Sequence, residues 1–143
     1  MNESKDLKRT QEFVTKLKST NSTNDKIDII KEYNDDYIIK QVLKYTYSPF
    51  KQFHLTSATV KKNKKLEPRE GYNDLFYLLD ALTKRTITGH EAIQSVKGYI
   101  QHMEEWQQDL VFCILDKNLK TRTGADLINK AIPGCVPTFK VVL

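Results

Sequence analysis

Apolar positions fall in short runs of helical spacing separated by polar connections, and no stretch keeps the period of two that a half-buried strand requires. Phe13, Val14 and Leu17 share one face of a first helix, which the polar cluster Ser19 to Asn24 terminates. Ile27, Ile29, Ile30 and Tyr33 mark a second, with Thr23 and Asn24 as candidate N-caps and an end near Asn34. A third starts at Asp35 or Asp36, carries Ile38, Ile39, Val42, Leu43 and Tyr45, and stops before Pro49, which cannot continue the backbone ladder. Residues 55–70 show no apolar period and read as a long surface loop. The run Leu75, Phe76, Leu78, Leu79 and Leu82 is apolar almost all round, the pattern of a central buried helix. Thr88 stands three residues before Glu91, the capping-box spacing, and Ile93, Val96, Tyr99, Ile100 and Met103 come next on one face. A further helix is expected over 104–117, with Trp106, Leu110, Val111, Cys113, Ile114 and Leu115 inward. A short last one should run from near Gly124 through Leu127, Ile128 and Ala131 to Pro133, with an extended tail over 139–143. The expectation is an all-α domain of about seven short helices.

With 143 residues there is room for one sizeable core and so for a single domain, placed over 10–137 with 1–9 as a flexible extension. The longest apolar runs, such as Leu110 to Leu115, are far too short to cross a bilayer, and no signal-like segment opens the chain. A reducing compartment is therefore expected, with Cys113 and Cys135 as free thiols.

The net charge of +5 is unevenly spread. Residues 1–50 carry +1, 51–70 carry +4, 71–116 carry −4 and 117–143 carry +4. Two basic stretches flanking an acidic middle make a one-sided electropositive surface if they meet in space, and polyanions are the partner such a surface attracts. Lys61, Lys62, Lys64 and Lys65 fit that role, or simply a solvated loop.

Enzyme signatures are missing. His54, His90 and His102 form no ligand repeat, no Gly-rich phosphate loop is present, and Cys113 falls on a core face where packing accounts for it. The informative feature is an echo. Thr88-Gly89-His90 and Thr123-Gly124-Ala125 each follow a basic, hydroxyl-rich connection (Lys84-Arg85-Thr86 and Lys120-Thr121-Arg122) and each open a predicted helix. Exposed N–H groups at a helix start bind anions, and flanking Lys, Arg and Thr add charge and donors. Ordinary N-capping by Thr88 and Thr123 explains the same Thr-Gly pairs.

Several elements in order resemble the N-terminal region of T-even-type bacteriophage ATP-dependent DNA ligases: Tyr45-Thr46-Tyr47-Ser48, then Phe50, Gln52 and Phe53, then Thr86 to Ile93, then Gly98-Tyr99-Ile100, and finally Asn129-Lys130-Ala131-Ile132-Pro133-Gly134-Cys135-Val136-Pro137. The last is the sharpest, and Arg122 departs from the pattern by standing where some relatives would carry a glycine or small residue. The resemblance implies an all-helical DNA-binding domain that helps encircle nicked duplex DNA ahead of catalytic domains. It implies a nucleophilic lysine in a Lys-x-Asp-Gly motif beyond Pro137, which this sequence does not contain, so residues 138–143 would begin a linker or strand towards an absent adenylation domain. The chain alone would then hold no cofactor and do no chemistry. The parent protein would be a ligase using ATP and Mg²⁺ in replication, repair and recombination, monomeric, in the cytoplasm of an infected bacterial host. Contact with a replication clamp is left open.

On this reading Gly89 and Gly124 present backbone N–H groups, Thr88 and Thr123 cap and donate, and Lys120, Arg122 and Lys130 neutralise phosphates, with His90 and Thr121 alongside. Ser48, Lys51 and Gln52 are second-rank contacts. The competing class is a protein-interaction helical module with a merely solvating lysine loop, which calls for an exposed apolar patch.

Overall fold

Each apolar run of helical period becomes a helix, and one more helix forms where none was expected. The computed structural model describes residues 3–139. Their order is α1 (Glu3–Lys18), α2 (Thr23–Glu32), α3 (Tyr37–Tyr47), α4 (Ser57–Lys62), α5 (Leu75–Thr83), α6 (Gly89–Ile100), α7 (Glu105–Leu115) and α8 (Ala125–Ala131), with no strand among the described residues. The core is built as the spacing dictates: Leu75, Leu78, Leu79 and Leu82 of α5 are 1% exposed or less, and Ile39, Val42, Leu43, Leu110, Val111, Ile114 and Leu115 are buried in the same cluster. α2 lies on α8, α3 on α7, and α4 against both α6 and α7.

Short polar side chains decide where the helices start. Ser22, not Thr23 or Asn24, caps α2 by accepting from the Asp25 amide, and Asp36 caps α3 through the Ile39 amide. Thr56 and Asp74 do the same for α4 and α5. At α7 the Glu104 amide donates to Gln107 Oε1 at 2.9 Å.

Two expectations need correcting. Residues 3–9, expected as an extension, are the first turns of α1. Leu7 is fully buried there, and Arg9 pairs with Asp6 of its own helix and with Asp36, the cap of α3. One apolar side chain in that stretch carries no period, so its helix becomes visible only through these partners. Residues 55–70 are likewise not all loop. α4 offers only Val60 to the core, and tertiary contacts hold it: Ser57 donates from its amide (2.7 Å) and its hydroxyl (2.5 Å) to Asp116, and Lys61 stacks over the Phe112 ring at 4.8 Å. The expected tail over 139–143 lies outside the described residues apart from Phe139.

The segment after α4 is anchored rather than free. Lys97 of α6 donates to the carbonyls of Asn63 and Leu66, and the Arg69 amide donates to the Gln94 carbonyl at 2.9 Å. Gly98 makes this docking possible, because a Cβ there would lie well inside van der Waals contact with the Arg69 carbonyl. The lysine-rich segment is thus held against α6 by its backbone, leaving Lys62, Lys64 and Lys65 exposed.

Candidate nucleic-acid interface

The two Thr-Gly turns open α6 and α8, and neither helix start is capped by a side chain. At α6 the Thr88 hydroxyl makes no cap hydrogen bond, so the expected capping box with Glu91 does not form. Glu91 turns instead towards Arg69, 3.8 Å away. At α8 the N-cap is Gly124 itself, and the hydroxyl of Thr123 meets that of Thr121 at 2.5 Å. The first-turn amides at both starts therefore lack the side-chain acceptor that α2 to α5 possess. The echo is not conformational: Gly89 is left-handed at φ +56°, whereas Gly124 is extended at φ −134°.

Around these starts the backbone is strained in one recurring way. Among the described residues, five non-glycines have positive φ, namely His54, Arg85, Lys117, Lys120 and Arg122. Each costs about 1 kcal/mol or more relative to right-handed backbone, and all five are basic side chains. Arg85 and Lys117 end α5 and α7 in left-handed turns, with the Thr86 amide donating back to Ala81 and the Asn118 amide to Cys113. Lys120 is turned by its amide donating to Asn118 Oδ1 at 2.8 Å. At Arg122 φ is +56°, so the backbone sits in the region a glycine would occupy freely.

Basic side chains gather with these residues in three clefts. Thr88 and Gly89 share one with His54 and Arg85. His90 faces another with Lys62, Lys64 and Lys65. Lys120, Thr121 and Arg122 share a third with Lys18 and Lys26, which come from the end of α1 and the start of α2. The two Thr-Gly turns do not meet in one cleft. The end of α7 is tied to α4 instead, where Asp116 is occupied by its two bonds from Ser57. Among the described residues none of Lys62, Lys64, Lys65, Arg85, Lys120, Arg122 and Lys130 pairs with a carboxylate, whereas Arg9, Lys16, Lys51 and Arg69 do.

Lys117, next in the chain, ties the same helix end to α3. Its ammonium donates to the carbonyls of Tyr45 (2.9 Å), Ser48 (2.9 Å) and Lys51 (2.7 Å), closing the end of α3, and lies 4.9 Å from the centroid of the Phe53 ring. Burial first, and then the nearby Lys51 charge, lowers its pKa to about 8. Lys117 shapes the 48–53 turn and is itself spent on protein carbonyls.

The remaining sequence candidates divide. Ser48 is buried, and its hydroxyl accepts from the Phe50 amide at 3.2 Å, so it supports the turn from inside. Lys51 lines none of the basic clefts and lies 3.9 Å from Asp80 and over the Tyr45 ring at 4.2 Å. Gln52 is exposed, its amide donating to the Pro49 carbonyl. Thr121 is buried and serves as a wall, while Lys130 stands exposed in the last turn of α8. Sequence reasoning missed His54, Arg85, Lys18 and Lys26. Arg85 had a signal, since it lies in the basic connection before Thr88. Lys18 and Lys26 had none, because only folding brings the α1–α2 connection to residues 120–122.

The resemblance motif at 129–137 is structural. The Asn129 side chain makes a paired bond with Val136, Nδ2 donating to its carbonyl and Oδ1 accepting from its amide, both at 2.9 Å, which closes the Pro133-Gly134 turn. Cys113 and Cys135 are half-buried, and burial pushes both thiols above their ordinary range.

No family model matches the chain. It is 26% identical over 132 residues, 87% of its length, to the DNA ligase of Enterobacteria phage T4, and equally so to that of Enterobacteria phage T6. It spans about a quarter of the length of these curated relatives (26%). In fold it resembles the solved structures "Pmar-Lig_PreS3" (TM-score 0.71, 21% identity) and "Pmar-Lig_Pre." (TM-score 0.69, 21% identity), each match covering 85% of this chain and 29% of the other. The sequence is thus similar to one part of these phage DNA ligases, and the described residues form an all-helical domain whose fold resembles that of the two solved structures.

Proposed function

We propose that this chain is a DNA-binding module of an ATP-dependent DNA ligase, gripping duplex DNA on both sides of a nick by contacts to the phosphate backbone. The observation that carries the reading is the gathering of basic side chains that pair with no carboxylate: Arg85, His90 and the lysine segment beside the uncapped start of α6, and Lys120 and Arg122, in the connection leading into α8, in one cleft with Lys18 from the end of α1. Uncapped amides and unpaired cations are what phosphate oxygens satisfy. Contacts of this kind position the duplex and carry no sequence information, so the module would bind all duplexes alike. Sealing itself, with ATP and Mg²⁺ at a Lys-x-Asp-Gly lysine, belongs on this reading to catalytic domains outside the present sequence. So do the roles in replication, repair and recombination within an infected bacterial cell.

The test is a salt series with unrelated duplexes, nicked and intact. Each phosphate neutralised steepens the dependence of log K on log salt by about 0.9, so similar affinities with a steep slope are expected. Lys120→Ala with Arg122→Ala should flatten the slope by about two units and weaken all duplexes equally. Binding that is absent or indifferent to salt would overturn the reading.

One feature favours the competing interaction module. Phe50 and Phe139 are 56% and 71% exposed and stack edge to face with centroids 4.8 Å apart, an aromatic pair open to solvent. That reading requires a partner complex that survives high salt and is insensitive to the Lys120 and Arg122 substitutions.

A further inference from the structure

The third cleft differs from the other two by containing a lysine that is almost entirely buried. Lys26, in the first turn and a half of α2, is 5% exposed, forms no ion pair or hydrogen bond through its side chain with any described residue, and lines the cleft with Lys18, Lys120 and Arg122. Thr20 and Asn21, from the turn between α1 and α2, complete the rim. Among the described residues, four cations and no carboxylate line the cavity. Asp25, the nearby acid in sequence, accepts from the Thr20 hydroxyl at 3.2 Å and is not among the lining residues. Four cations around one small cleft with no carboxylate among its lining residues repel one another, so the arrangement gains stability when an anion enters. The space is about 200 Å³, below the roughly 300 Å³ at which sites for drug-sized ligands begin, and suits one small oxyanion.

We infer that this cleft, between the α1–α2 turn and residues 120–122, is a pocket for a single phosphate group with Lys26 among its lining cations, and that the group it takes is one backbone phosphodiester of a bound duplex. The source of the phosphate rests on the duplex-binding reading above, while the anion site itself does not.

Two measurements on the whole chain test it. Titration with inorganic phosphate, followed by amide NMR, should shift Thr20, Asn21, Lys26, Thr121 and Arg122 together and leave the Thr88–His90 turn less affected; no shift at these residues overturns the pocket. In duplex titrations Lys26→Met, which keeps the buried stem, should weaken binding about tenfold, the loss of one charge-assisted hydrogen bond, and lower the salt slope by about one unit. Should Lys26→Met fail to fold, Asn21→Asp on the exposed rim places a carboxylate at the cavity and should produce a loss at least as large. Phosphate shifts with duplex binding unchanged in these variants overturn the phosphodiester assignment and leave a free-anion site. A wild-type chain that binds phosphate here but no duplex overturns the duplex-binding reading instead, so the two failures are separable.

Discussion

Removing the Lys117 ammonium should destabilise the domain, and by more at alkaline pH than at neutral pH. Lys117→Met keeps the buried stem over Phe53 but leaves the carbonyls of Tyr45, Ser48 and Lys51 without their donor. Each deprived carbonyl costs about 1–3 kcal/mol when water cannot replace the lost bond. The site is half-buried and water reaches part of it, so a total of roughly 2–4 kcal/mol is expected. That corresponds to a fall in midpoint of about 10 °C for a domain of this size. The pH dependence comes from the lowered pKa. Between about 8 in the folded chain and 10.5 in the unfolded one, the unfolded state holds more protons at this residue, so wild-type stability contributed here rises with pH across that window. The neutral amine still donates two N–H bonds and no longer bears the penalty of a buried charge. Methionine has neither property, so the gap between wild type and variant should widen from pH 7 to pH 9.5. Urea denaturation at both pH values measures it, with amide exchange at Phe50 to Phe53 reporting on the turn. A difference below about 1 kcal/mol, or a gap that narrows as pH rises, would count against this bonding scheme, because the bonds would then depend on the full ammonium charge.

Other perturbations rest on single observations. Gly98→Ala would gain about 1 kcal/mol from helix propensity, but its Cβ meets the rigid Arg69 carbonyl, and forced packing costs about 1–3 kcal/mol; calorimetry should therefore show net destabilisation, and salt-dependent duplex binding should weaken as the lysine segment lifts from α6. Asn129→Ala removes both bonds to buried Val136 and should lower stability by about 1–2 kcal/mol, read by urea midpoint, while leaving duplex affinity per folded molecule unchanged. Glu3 is raised to about 7, chiefly by burial and then by Asp74. The folded chain therefore holds an extra proton there between pH 4.5 and 7, and stability from this group is lost as pH rises through that window. Glu3→Gln should flatten this part of the stability profile, and a profile identical to wild type would contradict the assignment.

Much of the architecture could be read from spacing. The apolar faces of α2, α3, α5, α6 and α7 repeat often enough to specify both helix and burial, and Asp36 and Gly124 mark the starts of α3 and α8 in the residue types themselves. α1's first turns and α4 could not be read, since each offers a single apolar anchor and depends on partners far along the chain, Asp36 for Arg9 and Asp116 for Ser57.

The candidate site divides along the same line. The Thr-Gly echo and the basic connections are local patterns, so Thr88, Gly89, His90, Lys120, Arg122 and Gly124 could be named from the chain alone. Whether a hydroxyl caps a helix or a lysine stays free depends on geometry no local pattern encodes: Thr88 turns out uncapped, Ser48 and Thr121 lie inside, and Lys51 is claimed by Asp80. An all-helical domain with two basic stretches around an acidic, apolar middle is already present in the order of residues. Folding then settles which cations remain unpaired, and brings Lys18 and Lys26, about a hundred residues away in the chain, to one cleft with Lys120 and Arg122. The reason is physical: helical period is a property of neighbours, whereas charge pairing and burial are set by whichever segments the core packing brings together.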